Sequence, residues 1–276
     1  MFLKQPITVF SALITIAVGS VAFAPSASAF IVSSDESKLT IGANDVNQWF
    51  DIEFGGNVAT RDVNGLSSLA SFKFLGFTTV GTGANTKTEA KFDIKLFNTS
   101  SSGITSRTSA LGFNTSLGSN LNMNPVGTAA NADGSGDTRV LTQASGGIGT
   151  LFTNDRSGSF PNTFGNVDVC FTNGNTCQGG SNGGVFTGNQ DNSSSRFTAV
   201  LAFNGIINSF DLDNFGVRYQ SINGSANGTT FNGDSGTGRG KVKRRKVSEP
   251  ATAAAIGFVA ISAFGLRKKN KLISQA

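Results

Sequence analysis

Hydrophobic and polar side chains alternate with a period of two along the middle of the chain. In one run, Phe92, Ile94 and Leu96 fall on one side of an extended backbone, and lysine and aspartate side chains fall on the other. Residues 49–54 repeat the pattern, and turns rich in glycine and asparagine separate such runs. Short alternating runs between turns are typical of antiparallel strands. No run has convincing helical periodicity, so the pattern predicts an all-β, antiparallel β-sandwich or jelly-roll-like domain over residues 30–222.

Composition indicates how such a domain would be filled and which chemistries are absent. The chain has 276 residues, of which 35 are glycine and 24 are phenylalanine, and it lacks histidine. Phenylalanine buries a large area without a polar atom, so few core residues can support a glycine-rich chain. The lack of histidine excludes Ser-His-Asp triads, Cys-His dyads and histidine-ligated zinc. Two cysteines cannot supply a four-thiolate metal site.

Two segments depart from the alternating pattern. Residues 122–149 contain few apolar positions, which predicts a long surface loop with one short strand. Residues 223–246 are rich in glycine, serine and asparagine and end in basic residues. This composition predicts a flexible linker between the β domain and the C-terminal segment.

The net charge of +5 is unevenly distributed along the chain. Residues 30–238 contain 11 basic and 16 acidic residues, which gives −5. The remaining segments contain 11 basic residues and one acidic residue, which gives +10. A nucleic-acid-binding protein carries its basic patch on the folded domain, so we expect no nucleic-acid partner.

The first 29 residues have the order of features found in secretory signal peptides. Lys4 precedes an apolar run over residues 7–24, and the small residues Ala27 and Ala29 follow it. Cleavage after Ala29 would make Phe30 the new N-terminus. The partners that this segment predicts are the Sec translocon and signal peptidase. A first helix buried in the domain is the alternative interpretation.

The C-terminal segment contains a second apolar run, over residues 251–266. These sixteen uncharged residues would span about 24 Å as a helix, against a bilayer core of about 30 Å. Lysine and arginine side chains at both ends can extend toward the interfaces and lengthen the span. The run therefore predicts a single transmembrane helix, either a temporary anchor or a permanent one.

The segment 247–271 resembles the PEP-CTERM sorting signal of bacterial envelope proteins. Ser248, Glu249 and Pro250 match its Pro-Glu-Pro motif, with serine in place of the first proline, and the apolar run and basic tail follow in the same order. The resemblance implies recognition by an exosortase, which is a membrane-embedded cysteine transpeptidase, and a setting near extracellular polysaccharide. It also implies an exported protein that is anchored transiently in the inner membrane and then reaches the cell surface or the exterior.

Cys170 and Cys177 enclose a short loop that contains an Asn-Gly pair. In an exported protein, two cysteines this close favour a disulfide across a hairpin loop. A loop this short would contribute about 2 kcal/mol to stability. A redox role is the alternative, although the spacing is not that of a C-x-x-C motif.

Several stretches of the middle region are similar to the cistern family of PEP-CTERM proteins. They are residues 112–114 (GFN), 164–177 (FGNVDVCFTNGNTC), the glycine pairs at 179–180 and 183–184, and residues 210–222 (FDLDNFGVRYQSI). The resemblance implies an exported β domain of unknown biochemical activity and lends no catalytic residue. It carries over only Cys170 and Cys177, as a disulfide.

Two pairs of aspartates are weak candidates for calcium ligands. Asp133 and Asp137 are spaced as in a calcium-binding loop, but Thr142 stands where such a loop has its bidentate acid. Asp211 and Asp213 would lie on one face of a strand. Glycine- and aspartate-rich loops are common without metal, so we expect neither a metal nor another cofactor.

Enzymatic candidates are equally sparse. Asp51 and Glu53 would have a spacing suited to glycoside hydrolysis, but such a pair is also what a solvated strand face presents. Trp49 and Tyr219 are the aromatics suited to stacking on a sugar. We therefore expect an exported, non-enzymatic envelope or matrix protein with a structural or adhesive role. The alternatives are a glycan- or calcium-binding module and a hydrolase that uses only carboxylates.

Overall fold

A computed structural model of the protein describes residues 30–123, 137–141, 143–144, 146–180, 183–189 and 191–243. The predicted signal peptide and sorting tail lie outside these ranges. The strands of the described part are β1 (Ile31–Val32), β2 (Leu39–Gly42), β3 (Trp49–Phe54), β4 (Asn57–Val58), β5 (Arg61–Asp62), β6 (Ser68–Val80), β7 (Lys87–Asn98), β8 (Thr105–Thr115), β9 (Arg139–Leu141), β10 (Asn154–Phe160), β11 (Gly165–Thr172), β12 (Val185–Phe186), β13 (Arg196–Asn204), β14 (Ser209–Ala226) and β15 (Thr229–Lys243). Short 3-10 helices occupy Ala43–Asp45, Gly83–Asn85, Gly118–Asn120 and Ser193–Ser195. Among the residues described, no helix has the length and apolar character needed to cross a bilayer.

Every ladder between these strands is antiparallel, which confirms the prediction of an antiparallel all-β fold. The main path of the sheet runs β10-β11-β8-β14-β15-β3-β6-β7-β13-β9. Strands β10 and β9, the two ends of this path, contact each other. The sheet therefore curls until it is nearly barrel-shaped, with its apolar face inside.

The predicted linker over residues 223–246 is wrong for residues 223–243, because these residues are part of the sheet. Asn223–Ala226 complete β14, and β15 follows after a two-residue turn. β15 pairs with β14 as far as Arg239 and then with β3 from Gly240 onward. It is thus the strand that joins the two halves of the sheet, and the folded domain extends beyond residue 222.

Two glycines explain why β15 can occupy this crowded position. A Cβ atom on Gly238 would lie 2.0 Å from the carbonyl oxygen of Gly55, and one on Gly236 would lie 2.2 Å from that of Asn57. No side chain fits at such distances from a neighbouring backbone. The glycines therefore permit a close approach between β15 and the chain that leaves β3.

Phenylalanine rings form much of the core, as the composition predicts. Phe50 stacks on Phe72 with 4.8 Å between ring centroids, and Phe72 also contacts Phe92 and, on β8, Phe113. Because β8 and β6 lie in opposite halves of the sheet, these contacts bridge the interior. Such ring pairs contribute about 0.5–1.5 kcal/mol each beyond the area they bury. The buried faces predicted from alternation are confirmed for Phe50, Ile52, Phe54, Phe92, Ile94 and Leu96.

A smaller apolar cluster covers the outer side of β8 and β11. It consists of Ala110, Phe160, Phe164, Val167, Cys170 and Cys177. The rings of Phe160 and Phe164 meet edge to face at 5.3 Å. In the segment predicted as a long loop, Arg139–Leu141 form the short strand β9, and residues 124–136 lie outside the described residues.

Candidate functional site

Cys170 and Cys177 form a disulfide, as predicted, with their Cα atoms 5.8 Å apart. Cys170 lies on the outer side of β11, and Cys177 closes the loop that follows this strand. Both residues are fully buried, at 0% and 2% exposure. The bond thus secures a loop whose asparagine and glycine residues cannot bury apolar area of their own.

Arg107 of β8 holds the chain that follows this disulfide. Its guanidinium donates hydrogen bonds to the carbonyl oxygens of Gly183 (2.6 Å) and Gly180 (2.9 Å) and to Oε1 of Gln220 (2.7 Å). The side chain is 95% buried, and burial lowers the pKa of Arg107. A guanidinium placed this deep needs such acceptors, so Arg107 and the loop depend on each other.

The residues predicted for export and sorting lie mostly outside the described part of the chain. This holds for Ala27 and Ala29 at the signal cleavage site and for Ser248, Glu249 and Pro250 of the sorting motif. The predicted new N-terminal residue, Phe30, is the exception. Its ring contacts the ring of Phe50 edge to face, with centroids 5.1 Å apart.

The two carboxylates considered for hydrolysis lie on the outward side of β3, and each has a neighbour. Asp51 accepts a hydrogen bond of 2.6 Å from Oγ of Ser71. Glu53 lies 3.5 Å from Nζ of Lys243, and both side chains are largely exposed. This arrangement is that of a solvated strand face and provides no enclosed cleft between the two acids.

Of the two calcium candidates on β14, Asp211 is already hydrogen-bonded within the domain. Asp211 receives hydrogen bonds from Thr40 (2.7 Å) and from Nζ of Lys38 (3.0 Å). Burial raises the pKa of Asp211, but these two partners outweigh it and hold the pKa below its ordinary value. Asp213, by contrast, has a raised pKa because of burial and the nearby charge of Asp168.

The other two calcium candidates precede β9 in the sequence. Asp133 lies outside the described residues, whereas Asp137 accepts a hydrogen bond from Asn122 and lies 3.7 Å from Nζ of Lys87. In the ranges that the structure describes, no group of three or more acidic, cysteine or histidine residues is arranged to hold a metal ion.

The prediction of Tyr219 as a sugar-stacking residue is wrong, because its side chain is completely buried. Its hydroxyl donates a hydrogen bond of 3.3 Å to the carbonyl oxygen of Gly55, and burial raises its pKa. Trp49 is half-buried on the outward side of β3, where Nζ of Lys95 lies 5.3 Å from the ring centroid. Trp49 is therefore already part of a charged surface that includes Lys95 and its partner Asp191.

A groove on the same outward surface, which we call the basic groove, gathers the cations of β15. Arg239, Lys241 and Lys243 line it at alternate positions of the strand. The groove crosses the ends of β3 and β6 and has a volume of about 520 Å³. Its other lining residues are Glu53, Phe54, Gly55, Ser67, Ser68, Leu69 and Thr99.

Sequence reasoning missed this groove because it assigned these cations to a linker. A signal was present nonetheless. From Gly236 to Lys243 the sequence reads GTGRGKVK, in which small or apolar residues alternate with basic ones after Thr237. This is the period-two pattern of a strand with one charged face. Arg107 had no comparable signal, because its loop partners are 73 or more residues away along the chain.

The chain matches no protein-family model, no characterised protein and no solved structure. The fold and the residues described above are therefore the basis for assigning a function.

Proposed function

We propose that the chain is an exported, non-enzymatic protein of the cell envelope or extracellular matrix, with a structural or adhesive role. In this proposal the Sec translocon exports it and signal peptidase removes residues 1–29. Residues 251–266 anchor it temporarily in the membrane, and an exosortase-type transpeptidase acts at the Ser-Glu-Pro motif of residues 248–250. The domain then reaches the cell surface or the exterior as a sandwich-like β scaffold.

The buried disulfide is the observation that carries this proposal. Disulfides persist in oxidising compartments and are rare in the cytosol, where thiols are kept reduced. Cys170 and Cys177 account for all the cysteine of the chain, and both lie in the folded domain. The bond closes a loop, and the chain has no third cysteine that could exchange with it. A structural disulfide of this kind is expected in an exported protein and not in a cytosolic one.

Two features support a non-enzymatic role. The chain lacks histidine, which removes the commonest general base. Asp51 and Glu53 lie on an open strand face, where their neighbours Ser71 and Lys243 are structural partners. A second candidate function is a glycan-binding module, and the basic groove is the observation that favours it.

Variants of the sorting motif test the proposed route. We expect Glu249→Gln combined with Pro250→Ala to leave the apolar tail attached, so that the protein accumulates in the membrane fraction of its natural host. Glu36→Gln, an exposed change within the β domain, is the matched control and should be processed normally. Subcellular fractionation and intact mass report both results. Removal of the tail from the motif variant, or a tail that stays on the unmodified protein, would contradict the proposal.

A further inference from the structure

The basic groove has three walls of different chemistry. Arg239, Lys241 and Lys243 line one side, and the hydroxyl groups of Ser67 and Thr99 line the opposite side. These two hydroxyls are 2.8 Å apart and share a hydrogen bond, and a hydroxyl oxygen with one such bond can still accept another. Between the two sides, the register places Leu69 next to Glu53 on the outward face.

The cations differ in how strongly they are already engaged. Arg239 donates hydrogen bonds to Asn214 and to the carbonyl oxygen of Phe164, and its guanidinium lies 4.2 Å from the Phe164 ring centroid. Lys243 has weak, exposed ion pairs with Glu53 and Glu36 at 3.5 and 3.9 Å. Lys241 is exposed and makes no ion pair with any residue that the structure describes.

Lys241 and Lys243 therefore form an available pair of charges. Because they are two residues apart in one strand, their Cα atoms are about 6.7 Å apart and their side chains point the same way. An exposed ion pair such as Lys243–Glu53 contributes about 0–1 kcal/mol, so an external anion can replace Glu53 at little cost.

We propose that the basic groove binds a chain of an acidic polysaccharide, with Lys241 and Lys243 contacting successive carboxylates and Ser67 and Thr99 contacting sugar hydroxyls. This inference rests on the proposed function, because an exported protein is one that meets extracellular polysaccharide. It deepens that proposal by naming the partner's chemistry and the surface that binds it.

The form and charge of the site favour this ligand over other polyanions. A concave groove suits a single extended chain, whereas a flat membrane surface would meet only its rims. Nucleic-acid strands are bound by aromatic side chains that stack on bases, and the groove presents only Phe54, which is 2% exposed. Residues 30–243 contain 14 basic and 16 acidic residues, so the attraction is local to the groove.

Titration calorimetry with the processed protein and polygalacturonate tests the assignment. We expect binding that weakens with added salt, and no binding of neutral dextran. The double variant Lys241→Gln with Lys243→Gln should lower the affinity about tenfold or more. Lys91→Gln, on the outward side of β7 and away from the groove, is the matched control and should leave the affinity unchanged.

Glu53→Gln provides a result that a merely structural role would not give. Removing the competing carboxylate should raise the affinity for polygalacturonate severalfold, with an unchanged melting temperature. Absence of polygalacturonate binding, or equal binding by the double-lysine variant, would overturn the inference. Tighter lysine-dependent binding of phosphatidylglycerol vesicles or single-stranded DNA would overturn it as well.

The same preparations separate this inference from the proposed function. Intact mass reports export and processing independently of any ligand. A processed protein that does not bind polygalacturonate refutes only the groove assignment, whereas a full-length cytosolic protein refutes the proposed function.

Discussion

Replacing Gly238 by alanine should destabilise the protein strongly, because residue 238 belongs to the centre of the sheet. The added Cβ would lie 2.0 Å from the backbone oxygen of Gly55 and 3.0 Å from the ring of Tyr219. Tyr219 is fully buried and bonded to the same Gly55 oxygen, so neither group can move away independently. Overpacking of a core costs about 1–3 kcal/mol, and a clash with backbone belongs at the upper end, about 3 kcal/mol.

Urea unfolding followed by circular dichroism measures this effect. A loss of about 3 kcal/mol corresponds to a melting temperature lowered by about 6–12 °C in a domain of this size. The matched control is Gly55→Ala, where a Cβ would meet no atom within 4 Å and the change should stay within about 0.5 kcal/mol. In a flexible linker, Gly238→Ala would be neutral or slightly stabilising. An unchanged unfolding midpoint for Gly238→Ala would therefore refute the place given to β15.

Three further predictions concern the disulfide, its loop and the response to acid. Changing both Cys170 and Cys177 to alanine should lower the free energy of unfolding, measured in denaturant, by about 2 kcal/mol. A reductant should lower the free energy of unfolding of the unmodified protein by the same amount, and an unaffected midpoint would contradict this. Arg107→Met should cost about 3 kcal/mol and speed amide exchange at residues 178–180, because three partly buried hydrogen-bond acceptors lose a charged donor; unchanged exchange would count against it. The hydrogen bond from Arg196 holds the pKa of Asp191 below its ordinary value, so the stabilisation that this pair contributes is complete above about pH 5 and is lost as the pH falls further. Asp191→Asn should flatten the decline in stability between about pH 5 and 2 by less than 1 kcal/mol, since the pair is exposed; parallel curves for the two proteins would refute this.

Alternation predicted the strands and buried faces where the sequence offered apolar side chains at every second position. Phe92, Ile94 and Leu96 point inward because side chains of an extended backbone alternate between its two sides. The same logic placed Asp51 and Glu53 on the outward side of β3. Such patterns are local, so they could be read without knowing which strands pair.

The glycine-rich composition of β15 predicts a linker, although these residues form a strand. Linkers are rich in glycine because glycine is flexible. Gly236 and Gly238 are needed for a different reason: a Cβ atom at either position would lie about 2 Å from the backbone oxygen of another segment. That requirement depends on a partner almost two hundred residues earlier in the chain. Composition cannot distinguish the two uses, whereas the alternation in GTGRGKVK could have done so.

The pairing order of the sheet could not be read from the sequence either. β15 lies between β14 and β3, and β14 also pairs with β2 and β8. Apart from the β14–β15 hairpin, these contacts join segments that are distant along the chain, and no short turn specifies them. The candidate groove follows from this order, because Lys241 lines the same groove as Ser67 and Thr99 only when β15 is next to β3.

Intact-mass analysis of the protein recovered from outside the cytoplasm, without reduction, tests the central claim most directly. We expect a chain that begins at Phe30, lacks the apolar tail of residues 251–266, and weighs two hydrogens less than its dithiol form because Cys170 and Cys177 are joined. A full-length chain found in the cytosol with two free thiols would contradict the account.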